Sequence, residues 1–143
     1  MEIWVIVLIH QIIFQGMFVI KNIVLSKKTG QQVRGKNKEA TVSIVFFAVF
    51  IFVTLVFDIF ETTTGEIRIL SNSAAIISGT VLLLLNLTIS LLSLIDLKDS
   101  WRAGVLENEK TELVSSGIYK FTRNPYFLSY LIMFAAYTII LQM

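Results

Sequence analysis

Four long apolar runs limit what this chain can fold into. They cover about residues 3–25, 40–60, 73–97 and 126–143, with polar segments between them. About 20 apolar residues suffice for a helix to cross the hydrocarbon of a bilayer. In lipid each backbone N–H and C=O must be satisfied within the spanning structure, so long runs without strict alternation are helices. The 143 residues therefore read as all-α: one polytopic integral membrane domain of about four transmembrane helices, in a cell membrane. Charged residues make up only 15% of the chain, against about 25% in a soluble domain. Eleven phenylalanines exceed what one small soluble core can hide. The first run follows Glu2, has no Lys or Arg before it and shows no small-residue cleavage site, so it reads as a retained span.

The basic residues predict an orientation. Lys27, Lys28, Arg34, Lys36 and Lys38 follow the first run, with Lys21 at its edge. Lys98, Arg102, Lys110, Lys120 and Arg123 follow the third, and only Arg68 lies between the second and third. Lys and Arg favour the cytoplasmic side. Segments 26–39 and 98–125 are therefore expected in the cytoplasm and the N-terminus outside. Cysteine is absent, which excludes disulfides and thiolate metal sites. No metal cluster is expected, and no basic block with interleaved aromatics points to nucleic acid. The expected partner is the lipid bilayer.

Polar residues inside the runs are costly and call for a role. His10 reads as a neutral histidine near the outer interface or bonded to a neighbouring helix. Gln11 and Gln15 are expected on one helix face, with Asn22 near it. Gly79, Asn86, Ser90 and Ser93 form a small and polar stripe of the kind that lets membrane helices approach and bond. Asp58 and Asp96 lie near run ends, within reach of water, and read as boundary residues.

The boundary before the fourth run reads "LVSSGIYKFTRNPYFLSYL", from Leu113 to Leu131, and holds the only proline, Pro125. Asn124 suits a helix N-cap, and Pro125 the first helical position, where its missing N–H is not needed. A helix start favours an anionic group, and the Arg123 fork suits a carboxylate or phosphate. This is a plausible place to hold a carboxylate-bearing cofactor.

The same stretch resembles the signature of the membrane-embedded methyltransferases, the isoprenylcysteine carboxyl methyltransferases and related phospholipid methyltransferases. Leu113, Val114, Gly117, Tyr119, Arg123 and Pro125 match it, with Asn124 at its His/Asn position and Phe127 at its aromatic one. Upstream, Trp101, Arg102, Gly104 and "EKTEL" look like the bacterial branch. The resemblance implies S-adenosylmethionine as cofactor, held by Tyr119, Arg123, Asn124 and Pro125. It also implies a weaker substrate role for Trp101 and Arg102 and a lipophilic or small methyl acceptor. No catalytic residue is singled out. Ser129 stands where the family prefers a glycine that approaches the cofactor. The family continues past the fourth run with another hydrophobic segment and a tail bearing an acidic pair. The resemblance therefore implies a truncated, inactive form or a partner that completes the pocket; Glu107 and Glu109 lie upstream and do not substitute. The competing expectation is a non-catalytic four-span scaffold or assembly protein. No acidic residue lies deep in a run, which argues against a transporter.

Overall fold

The computed structural model describes residues 3–30, 38–60, 70–100 and 114–142. These form α1 (Ile3–Thr29), α2 (Lys38–Ile59), α3 (Asn72–Asp96) and α4 (Pro125–Leu141). Short 3-10 turns occupy Lys98–Ser100 and Gly117–Lys120. Among the described residues all regular structure is helical. Helix boundaries follow local chemistry. α1 runs past its apolar stretch through Lys27 and Lys28, then stops where Gly30 turns left-handed (φ 67) and its N–H bonds Ser26 O at 2.9 Å. The Ser71 hydroxyl caps α3 by accepting from the Ala74 N–H. Pro125 opens α4 at N1, as its sequence predicts.

By length and apolarity, α1 (27 residues) and α3 (25 residues) can each cross a membrane. At 1.5 Å per residue α4's 17 residues reach about 26 Å, and the apolar part of α2 is the shorter Val45–Phe57.

The distribution of residue types is inverted relative to a soluble bundle. Outward-facing positions carry Ile12, Phe46, Phe52, Ile77, Leu84 and Leu131, all more than half exposed. The interior holds His10, Gln11, Asn86, Ser90, Ser93 and Ser129 alongside apolar side chains. An apolar surface of this extent marks contact with a non-aqueous medium. Polar groups turned inward then find partners that lipid does not offer.

α3 and α4 form the principal helix pair and run antiparallel, since Gln142 Nε2 donates to Asn72 Oδ1 at 3.2 Å at one end while Asp96 meets Ile118 at the other. Their backbones approach at Gly79, where a β-carbon would collide with Ile140 Cγ1 and lie 3.1 Å from Ala136 O. α1 packs across both helices through Val7, Phe14 and Phe18, and α2 packs on α1. Phe47 and Phe50 of α2 also stack edgewise on Phe134 of α4, with centroids 6.0 and 5.4 Å apart. Lys28 Nζ lies 2.6 Å from Asp99 Oδ2, so the C-terminal ends of α1 and α3 share one end of the bundle. That pair is well exposed and adds at most about 1 kcal/mol; its value here is positional.

The close approach at Gly79 yields a prediction. Gly79→Ala should destabilise the detergent-solubilised protein by about 1–3 kcal/mol through overpacking. Ile140→Ala in the same chain should recover part of that loss, giving non-additive effects in denaturant titration.

Candidate functional site

A continuous polar track runs along α3 toward the end of the bundle shared with Lys28 and Asp99. Its deepest part joins three helices. The Asn86 amide nitrogen donates to Ser129 O at 2.6 Å, which leaves Asn86 Oδ1 as the acceptor for His10 Nε2–H at 2.9 Å. His10 Nδ1 must then accept from the Tyr137 hydroxyl at 2.7 Å, and Gln11 Nε2 donates to that same oxygen at 2.5 Å. Every proton in this chain of bonds has one consistent direction, from Gln11 through Tyr137 and His10 to Asn86 and the Ser129 carbonyl. A neutral His10 with its proton on Nε2 satisfies every bond of this network. It bonds neighbouring helices, one of the two roles its sequence predicts. Gln15 is exposed, so it does not share the buried position of Gln11; one four-residue step advances about 40° past a full turn, enough to leave a narrow seam.

Nearer the end of α3, Ser90 Oγ donates to Ser129 Oγ at 2.8 Å, and Ser129 Oγ donates to Tyr126 O at 2.6 Å. Ser129 is fully buried, and its hydroxyl serves the α3–α4 seam. Beside it the Tyr126 and Tyr130 hydroxyls meet at 2.7 Å, and Phe18 packs on Tyr126 with ring centroids 4.5 Å apart.

The last turn of α3 then holds the segment that leads into α4. Ser93 Oγ and Tyr119 Oη lie 2.8 Å apart, and Asp96 Oδ2 accepts the Ile118 N–H at 2.7 Å. Asp96 is half-buried and acts as an anchor for this backbone, a role that a boundary reading does not include. Gly117 lies directly over that carboxylate. Its φ is 60, and any β-carbon there would fall onto Asp96 Oδ2. The glycine of the motif is thus required twice, by backbone conformation and by close approach.

Beyond this latch, Lys120, Arg123 and Asn124 are exposed while Pro125 is fully buried against the seam. Asn124 occupies the N-cap position, yet its side chain makes no capping bond, contrary to expectation. Its backbone takes φ −131 and ψ 64, and the residue is exposed. The start of α4 therefore presents an exposed guanidinium, an exposed carboxamide and a helix dipole whose first turn Asn124 does not cap. This donor set fits the carboxylate of an amino-acid-bearing ligand. Of the residues expected to bind a cofactor, Arg123, Asn124 and Pro125 lie together at this helix start. Tyr119 lies one turn earlier with its hydroxyl on Ser93. Trp101 and Arg102 lie outside the described residues.

Fold and site together define an all-helical, membrane-associated protein with a polar strip at one end of its bundle. Residues 74–143 match the phospholipid methyltransferase family. The match spans 70 of the chain's 143 residues, from the first turn of α3 through α4, and agrees with the resemblance carried by the motif before α4. No curated protein and no solved structure matches the chain.

The latch gives two predictions. Gly117→Ala and Asp96→Ala should each leave the helices intact but speed amide hydrogen exchange at Ile118–Thr122 by about tenfold or more, since loss of a charge-assisted hydrogen bond costs about 1.5–3 kcal/mol. Burial raises the Tyr119 pKa above the ordinary tyrosine value, and the Asp96 carboxylate adds to this, while the bond with Ser93 opposes it. The neutral hydroxyl thus favours the folded state fully below about pH 10, and that contribution falls as pH rises above it. Thermal unfolding followed from about pH 9 to 11 should show this alkaline loss, and Tyr119→Phe should flatten it.

Proposed function

We propose that this protein is an integral membrane methyltransferase. It uses S-adenosylmethionine and acts on a lipophilic or small acceptor at the cytoplasmic membrane face. One observation carries the reading: the family match covers the same α3–α4 unit that ends in an exposed Arg123 and Asn124 at an uncapped helix start.

S-adenosylmethionine, when bound, supplies a methyl group already activated on sulfonium. The work left to the chain is binding, orientation and exclusion of water. Arg123 would pair with the ligand carboxylate, and Asn124 would donate from its exposed carboxamide. Pro125 is buried and fixes the helix start against the seam. Tyr119, bonded to Ser93, positions the strip that carries Arg123 rather than spending its hydroxyl on the ligand. Trp101 and Arg102 are proposed to face the acceptor, on the strength of the motif alone. The four-span topology, with N-terminus outside and the two basic segments inside, is part of the same reading. The Lys28–Asp99 pair supports it by bringing the ends of α1 and α3 together.

The test is equilibrium binding of S-adenosylmethionine to the purified chain in detergent. Saturable binding is expected, weakened between about tenfold and a hundredfold by Arg123→Ala, the equivalent of a lost charged hydrogen bond. Asn124→Ala should weaken it less. Absence of binding to folded protein at millimolar cofactor would overturn the reading and favour the non-catalytic scaffold.

A further inference from the structure

The four residues Lys120–Phe121–Thr122–Arg123 join the latch to α4 and contain an anomaly. Phe121 is 86% exposed, the highest value among the described large hydrophobic residues. Most exposed apolar side chains of this protein lie on helix flanks. Phe121 lies instead in the connection at the end of the bundle, outside any helix. A bare phenyl ring in water is unfavourable relative to burial. Its exposed neighbours Lys120 and Arg123 are cationic, and Lys98 and Lys27 are exposed at the same end.

The acidic side chains described at this end do not cancel this charge. Asp99 is paired with Lys28, and Asp96 faces the Ile118 N–H. Sequence charge follows the same axis. Segments 26–39 and 98–125 carry ten basic against five acidic residues, whereas at the opposite ends of the runs Glu2, Asp58, Glu61 and Glu66 accompany only Arg68. An aromatic ring flanked by cations at the edge of an apolar bundle has the chemistry of a headgroup-level anchor.

We infer that the connection between the latch and α4 docks onto an anionic phospholipid surface. Phe121 enters the boundary between headgroups and acyl chains, and Lys120 and Lys98 pair with lipid phosphates. Arg123 is left to the ligand site beside it. Charge complementarity selects this occupant. A leaflet rich in phosphatidylglycerol or phosphatidylserine attracts such residues by about 1 kcal/mol per Lys or Arg, roughly fivefold in local lipid preference. The anchor also sets depth: it places the start of α4 level with lipid headgroups, so an acceptor held in the bilayer meets the site without leaving it. The docking itself does not depend on methyl transfer.

The chain has no cysteine, so Phe121→Cys provides a unique attachment point for a nitroxide. The labelled full chain is placed in nanodiscs of phosphatidylcholine, alone or mixed with phosphatidylglycerol. The expected signal is relaxation by oxygen, which concentrates in lipid, with protection from a water-soluble nickel chelate. With Phe121 retained, spin-labelled phosphatidylglycerol should be enriched around the protein over phosphatidylcholine. Lys120→Gln and Lys98→Gln should each lower that enrichment by about fivefold. A label open to the chelate would put Phe121 in water and overturn the inference. A label closed to both relaxants would mean that a protein partner or second copy covers it, which overturns lipid docking equally. Equal enrichment of the two lipids would overturn the anionic preference. Since neither readout uses S-adenosylmethionine, failure here is separable from failure of the methyltransferase reading.

Discussion

The need to satisfy polar groups in a medium without water governs this structure. Apolar side chains gain nothing by choosing the interior over lipid, so they do not set how the helices rotate. The few polar ones do. Asn86 and Ser90 turn toward α4, where the Ser129 carbonyl and hydroxyl receive them. His10 and Gln11 then bring α1 onto the same seam through Tyr137 and Asn86. Each such bond contributes on the order of 0.6 kcal/mol, up to about 2, modest alone but absent from any other rotation of the helices. Close approach at Gly79 and the aromatic contacts of Phe14 and Phe18 complete the fit.

The track that orients the helices also builds the site. Ser93 and Asp96 continue the α3 stripe to its end and hold the connecting segment through Tyr119 and the Ile118 N–H. The motif thus divides its labour. Gly117, Tyr119 and Pro125 face the protein and establish where α4 begins. Lys120, Phe121, Arg123 and Asn124 face outward and remain available. A rigid, internally bonded half that displays an exposed half is how a short connection can hold a ligand without a surrounding pocket wall of its own.

Hydropathy made the helices legible, because runs of this length permit little else. The α3 stripe was legible too, since Gly79, Asn86, Ser90 and Ser93 are small or polar groups aligned along one side of an apolar run. Rotation of α1 was less so. Gln11 and Gln15 look equivalent in sequence, and only the narrow seam tells them apart. Asp96 looks like a boundary group in sequence because its partner, the Ile118 N–H, is a backbone atom far along the chain that no side-chain pattern announces. The same holds for Asn124, whose residue type suits a cap but whose side chain makes no capping bond. In the motif, residue types reveal a helix start with cationic company. They do not reveal that the tyrosine and glycine are oriented toward α3.

The Asp96–Gly117 contact ties two distant positions into one heritable unit. A side chain can appear at 117 only in a lineage that has first given up the carboxylate at 96, and a carboxylate kept at 96 leaves glycine as the sole tenant opposite. Relatives of this chain should therefore carry glycine at 117 with or without the carboxylate at 96, and the combination missing from them is a side chain at 117 opposite a retained carboxylate.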